Sequence, residues 1–312
     1  MKIGRYVGQG TREATGVLVE FGGQTKVLDL AVASAQLKHN TPEFASLDAI
    51  IASGRSLLPK IAEIADKARR DGEEAWFGDP ATTQWLVPNR PGKCLCAGRN
   101  FGRHLDESKQ LWAARSGATD QRSIPTGFVK FSENLVPHNA SVERPVDVTD
   151  FDYEVEIAAI IGQRIERESE TQALDAVFGY TVFNDLSARE WQFTEMENRM
   201  VMVGKNFPGA GPIGPWILTA DEVPDPQALN VVLRVNGETR QTSSCNDMIH
   251  SFARLISFWS RLVLFPGDII CSGTPGGVAV AHKPDPRPWY LKPGDVVEAE
   301  VPQIGVLTTR IA

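Results

Sequence analysis

Glu154 and Glu156 stand two residues apart in the run DYEVEI, which covers residues 152 to 157. On a strand, alternation sends both carboxylates to one face and Tyr153, Val155 and Ile157 to the other. The strand rise separates the two acids by roughly 6 to 7 Å. The run continues into AAIIG, a wholly apolar stretch, so the element that carries the acids enters the core. Buried like charges repel and lose hydration unless a cation lies between them. A divalent ion meets that need, and oxygen ligands alone select a hard cation such as Mg²⁺, Mn²⁺ or Ca²⁺ over zinc. Asp185 is the candidate third ligand, because it ends the β-type run GYTVFND just before a helix-like segment, and the ends of strands often carry function. The residues alone leave a second reading open, in which Glu154 and Glu156 face solvent and Asp185 caps a helix.

The elements that must position these groups are mostly strands. Residues 16 to 30 read as two short strands around Gly22-Gly23, a dipeptide suited to a hairpin turn. Pro42 to Ala52 and Leu57 to Arg69 repeat apolar residues at helical spacing, with Thr41 placed as a cap. Between Asp71 and Pro91 the chain turns rich in Gly, Pro and polar residues, which predicts a boundary between a small domain at 1–90 and a larger one at 91–312. After it, short β-type runs dominate, separated by turn signals such as Asn236-Gly237, Pro266-Gly267-Asp268 and Pro293-Gly294-Asp295. Helical stretches are predicted only at Thr171 to Val177, from near Ser187, and at Ser251 to Leu262. An α+β, mostly β architecture with mixed strand pairing follows.

Composition narrows the function. The chain of 312 residues is 42% hydrophobic and 23% charged, ordinary globular statistics. Its net charge is −7 and its Lys and Arg are scattered, so no basic patch offers itself to nucleic acid. No run reaches the roughly 20 apolar residues of a bilayer span, and the N-terminus lacks a signal-peptide core. A soluble cytoplasmic protein acting on a small molecule is the expectation, with neither nucleic acid nor membrane as partner. Cys94, Cys96, Cys245 and Cys271 are too few and too dispersed for a disulfide framework. Cys94 and Cys96 share one strand face but lack the two further partners of a zinc site, so buried free thiols are expected.

Six blocks occur in one order between residues 152 and 307, within a resemblance that runs over roughly 92 to 312: DYEVEIAAIIG, GYTVFNDLSAREWQ, GKNFPGAGPIGPWI, VNGETRQ, PGDIICSGTPGGV and LKPGDVVEAEVPQIGVL. Together they resemble the fumarylacetoacetate hydrolase superfamily. The resemblance implies a mixed β-sandwich roll preceded by a small N-terminal α+β domain, a homodimer, and Mg²⁺ or Mn²⁺ on Glu154, Glu156 and Asp185. It further implies that His104 and Glu107 form a water-activating dyad, a spacing that shares one helix face. Lys205 matches a lysine that faces the metal-bound substrate, and Arg189 and Gln192 match an Arg-x-x-Gln pair of substrate donors. The glycine-rich turn with Gly273 and Thr274 matches a substrate contact, and Lys130 a recurring basic position, although a solvated strand lysine fits Lys130 equally. The polar segment Ser108 to Thr126 corresponds to a lid. Phe101 departs from the frequent tyrosine, and the stretch from Gln192 to Lys205 is slightly long.

These implied roles point first to hydrolysis of a C–C bond in a 2,4-dioxo acid of the acylpyruvate type. His104 with Glu107 would activate water, and the leaving enolate would be stabilised by the metal and Lys205. Decarboxylation, hydration or isomerisation of a related 2-oxo acid such as oxaloacetate is the alternative. A non-catalytic binding protein on the same fold is a third.

Overall fold

A computed structural model describes residues 1–39, 41–112 and 123–312. Three strands open the chain, β1 (Lys2–Val7), β2 (Glu13–Phe21) and β3 (Gln24–Asp29). Gly22 and Gly23 turn between the last two with φ of +59° and +78°, values their missing Cβ permits. Helix α1 (Leu30–Gln36) follows at once, because Asp29 accepts from the Val32 amide and caps it. The helix predicted from Pro42 divides into a 3₁₀ turn at Pro42–Ala45 and α2 (Leu47–Ala52), then α3 (Leu58–Asp71). Ser46, not Thr41, caps α2: its extended backbone lets the hydroxyl accept from the Ala49 amide, whereas Thr41 makes no side-chain cap.

The rest is built from short strands: β4 (Phe77–Gly78), β5 (Cys94–Ala97), β6 (Gly127–Lys130), β7 (Leu135–Val136), β8 (Ala140–Val142), β9 (Phe151–Asp152), β10 (Val155–Ile161) and β11 (Val177–Asn184). There follow β12 (Ser187–Ala188), β13 (Gly211–Thr219), β14 (Asn230–Val235), β15 (Glu238–Ser244), β16 (Ile269–Cys271), β17 (Val296–Val301) and β18 (Gly305–Ile311). Helices α4 (Gly102–Trp112), α5 (Arg189–Glu197) and α6 (Phe252–Trp259) interrupt them. The stretch predicted helical at Thr171 to Val177 is a 3₁₀ turn at Ala173–Ala176. The segment Ser108 to Thr126 lies for its greater part, 113–122, outside the described residues.

Among the described residues, one large mixed sheet runs β4-β3-β2-β1-β13-β11-β10-β16-β5-β6, with β7 beside β13. The N-terminal strands extend this sheet, since β1 pairs antiparallel with β13, Ile3 opposite Ile217. A second sheet runs β15-β14-β17-β18-β8. One core joins Val155, Ile157, Ala159 and Ile161 to Leu233, Val297, Ala299 and Leu307 of that second sheet. The opposite face of β10, with Ala158 and Ile160, packs with Phe183, Ile213 and the residues Leu47, Ile50, Ile61 and Ile64 of the N-terminal helices. Strand β10 is therefore buried on both faces, which is why it reads as a nearly continuous apolar run. No helix among the described residues is long and apolar enough to cross a membrane.

Candidate active site

Strands β10 and β11 pair antiparallel with Val155 opposite Asn184, and the Asp185 amide donates to the Glu154 carbonyl at 2.8 Å. This register brings Asp185 level with the two glutamates. Glu154, Glu156 and Asp185 are all buried, and one ligand oxygen from each lies within 4.8 Å of the others. The alternative in which the glutamates face solvent is excluded by that burial.

Cations surround the acids. The Lys205 ammonium donates to Glu154 Oε2 at 2.9 Å, to Asp185 Oδ2 at 2.7 Å and to Ser187 Oγ at 2.6 Å. Lys130, on β6, places its ammonium 2.7 Å from Asp185 Oδ1 and donates to the carbonyls of Lys205 and Ala210. It is buried, not a solvated strand lysine, and its three donors tie Asp185 to the Lys205 and Ala210 carbonyls. Arg189 donates through Nε to Asp152, through one terminal nitrogen to Gln192 Oε1, and through the other to Glu154 Oε1 at 2.6 Å. The family resemblance implies that Arg189 and Gln192 contact the substrate. In the fold, the guanidinium lies between two buried acids that need its charge, and Gln192 accepts from it.

These neighbours set the protonation states. Burial alone would raise Glu154, but Lys205 and Arg189 outweigh it and hold the carboxyl down at about 2. Glu156 forms no ion pair among the described residues. Burial, then Asp185 and Glu154, push its carboxyl well above the usual range, against the opposing charge of Lys205 and the Gly273 amide, which donates to it at 3.0 Å. Four acids, Asp152, Glu154, Glu156 and Asp185, face three cations, Lys130, Lys205 and Arg189. With all four acids ionised they exceed the cations by one charge, and a divalent ion on the all-oxygen triad would favour that ionised form of Glu156 and turn the deficit into a surplus of one. The donor set and the charge deficit fit a hard divalent cation.

Gly273 thus holds Glu156, and Thr274 accepts from Gln241 at 2.9 Å. Gln241 also accepts from the Val155 amide, so one buried side chain ties the carboxylate strand to the glycine-rich turn. His104 lies on α4. Burial, reinforced by Arg189 and Lys205 and opposed by Glu154, lowers its pKa to about 4, so the imidazole is neutral at pH 7. Glu107, one helical turn on, accepts from Arg103 Nε at 3.2 Å and from the Gly277 amide at 3.1 Å. A side chain at Gly276 would meet Arg103 Cγ at 2.6 Å and Glu107 Oε1 at 2.8 Å, so the turn approaches α4 only because it has none.

Three positioning residues escaped the sequence reading. Asp152 accepts from Arg189 and from the amides of Ala279 and Val280. Its signal was present, since 152, 154 and 156 share one strand parity. Glu195 accepts from the amides of Met202, Val203 and Gly204, and so shapes the long loop that delivers Lys205. Gln241 carried no signal in VNGETRQ beyond its place in a recognisable block.

A buried cluster of acids and cations in a large mixed β fold, with three carboxylates placed to share a metal ion, defines the class of site. The chain belongs to the fumarylacetoacetate hydrolase family: residues 93–312 match the family model described as fumarylacetoacetate (FAA) hydrolase C-terminal. It is 37% identical over 229 residues to the mitochondrial oxaloacetate tautomerase FAHD2A of Bos taurus, covering 73% of this chain and 69% of that protein. With the human FAHD2A tautomerase the identity is 36% over the same length and shares. Among solved structures, the fumarylacetoacetate hydrolase of the psychrophile Exiguobacterium antarcticum is 30% identical with a TM-score of 0.74, and the match covers 100% of this chain and 99% of that one. Residues 1–92, ahead of the family match, therefore have a structural counterpart there.

Proposed function

We propose that this chain is a divalent-metal-dependent enzyme that interconverts the enol and keto forms of oxaloacetate or a closely related 2-oxo diacid. The observation that carries the reading is the Lys205 ammonium bridging Glu154 and Asp185 in a buried site, a fixed positive charge where an enolate would develop. The tautomerase relatives support the substrate class.

Keto–enol interconversion moves one proton between C3 and the 2-oxygen and breaks no C–C bond. Glu154, Glu156 and Asp185 are the residues that would hold the cation, which when bound supplies Lewis-acid charge to the 2-oxo carboxylate. The neutral His104 takes the C3 proton, and the same proton or one from solvent is delivered to the 2-oxygen. Lys205 balances the charge that develops. Lys130, Arg189, Asp152 and Glu195 hold these groups in place.

Hydrolysis of an acylpyruvate is the second reading, favoured by the placement of His104 and Glu107 one turn apart on α4. It requires Glu107 to turn toward a water. Both of its oxygens accept from other groups here, Arg103 and Gly277, and for that reason tautomerisation stands first. The test is a paired assay of chelator-treated protein resupplied with Mg²⁺, Mn²⁺ or Ca²⁺. The expected result is metal-stimulated decay of enol-oxaloacetate absorbance and intact acylpyruvates. Cleaved acylpyruvate with oxaloacetate at the buffer rate would replace this reading with the second.

A further inference from the structure

Cys94 and Cys96 alternate on β5, and β16 runs parallel beside it with Cys271 level with Cys96. That register turns three thiols into the apolar layer that also holds Ala158, Ile160, Ile213 and Ile269. The sequence suggested that Cys94 and Cys96 lacked partners; Cys271, far along the chain, supplies one. All three are buried, their sulfurs lie within 4.8 Å of one another, and Cys94 Sγ is 4.0 Å from Cys271 Sγ. The fourth cysteine, Cys245, lies in the other core.

A sulfur-only donor set selects soft, thiophilic species over the hard cations suited to the carboxylate triad. Charge then decides among them. Three thiolates would place three negative charges in an apolar layer, which is costly unless they are neutralised on the spot. The cation facing this layer is Lys130, opposite Cys94 in the β5–β6 ladder, and its ammonium already lies on Asp185 and two carbonyls. The occupant must itself bring as much positive charge as the protons it displaces. A monovalent or divalent soft ion on three thiolates leaves net negative charge; a trivalent one leaves none.

We propose that Cys94, Cys96 and Cys271 form a binding site for a trivalent thiophile of the arsenous acid type. One molecule of As(OH)₃ reacts with the three thiols: three S–H and three As–O bonds break, three As–S bonds form, and three waters leave with no change of oxidation state. Phe128 stands opposite Cys96 and packs on this apolar cluster, and the Lys205 ammonium lies 5.3 Å from its ring.

The test uses the full, reduced chain incubated with arsenite and freed of excess by gel filtration. Arsenic-edge X-ray absorption should show one arsenic per chain with three sulfur neighbours and no oxygen. Cys271→Ser should bind about tenfold or more weakly, while Cys245→Ser should match the parent. If Cys271→Ser fails to fold, the spectrum of the parent protein remains decisive. Arsenic bound through two sulfurs and an oxygen, no retained arsenic, or stoichiometric capture of Cu(I) or Zn²⁺ by these thiols without arsenite binding would each overturn the proposal.

Discussion

The Lys205 ammonium lies 2.7 Å from Asp185 Oδ2, inside a site where both side chains are buried. Burial would lower the lysine pKa, but Asp185 and Glu154 outweigh it and raise it, so the ammonium stays charged. Lys205→Met removes a cation from between two buried acids. Breaking such a pair costs roughly 3–5 kcal/mol, and denaturant melts of the metal-free protein should show it. Added Mn²⁺ should restore part of the loss, and turnover should fall about 10²–10³-fold, as for loss of a charge-stabilising donor. Unchanged melts would mean that the lysine does not balance this charge.

Glu156→Gln separates charge repulsion from metal binding. Because burial and two neighbouring acids already raise the Glu156 pKa, the neutral amide should leave metal-free stability within about 1 kcal/mol of the parent or raise it. The increase in melting temperature on adding Mg²⁺ or Mn²⁺ should disappear. A variant that kept that metal-dependent increase would remove Glu156 from the ligand set.

In the proposed reaction the neutral His104 ring is the proton acceptor and sets the acid limb, and it is lost only as pH falls through its folded pKa of about 4 rather than 6.5. Turnover should therefore stay level from pH 8 down to roughly pH 5. The stability effect has the same sign: the unfolded chain gains a proton on this residue below its ordinary pKa while the folded chain resists, so stability is lost as pH falls toward 4. His104→Gln should abolish the activity and remove that component of the pH dependence. An acid limb near pH 6.5 in the parent would contradict the assignment.

Arg189→Lys tests whether planar geometry matters. One ammonium cannot reproduce the guanidinium fork that serves Asp152, Glu154 and Gln192 together. A loss of about 2–4 kcal/mol in stability is expected, with weaker metal affinity because Glu154 is no longer held. Titration calorimetry with Mn²⁺ reads the second effect directly.

Glu195→Gln keeps the side-chain volume but weakens acceptance from three loop amides. With Lys205 less well placed, kcat should fall about tenfold while Mn²⁺ affinity is unchanged, since no metal ligand is touched. Loss of both together would assign Glu195 a broader structural role.

Strand parity made much of this legible. Alternation in DYEVEI put Glu154 and Glu156 on one face, and the apolar continuation buried them. Turn glycines at 22–23 and at 237 behaved as their missing Cβ predicts. Local signals also misled: Thr41 precedes only a 3₁₀ turn, and the pattern at Thr171 to Val177 was too short to hold an α-helix.

The sequence by itself determined which groups could do chemistry and which side of a strand each must face, because those depend on residue type and a two-residue period. Only the tertiary structure decided which charge answers which. Lys130 arrives from the sheet edge, Lys205 from a loop held by Glu195, and Arg189 from a helix start, and they pair with Asp152, Glu154 and Asp185, while Glu156 forms no ion pair among the described residues. Coulomb energy and desolvation depend on distances across the fold rather than along the chain. The same holds for Cys271, whose place beside Cys94 and Cys96 follows from the parallel register of β16 on β5.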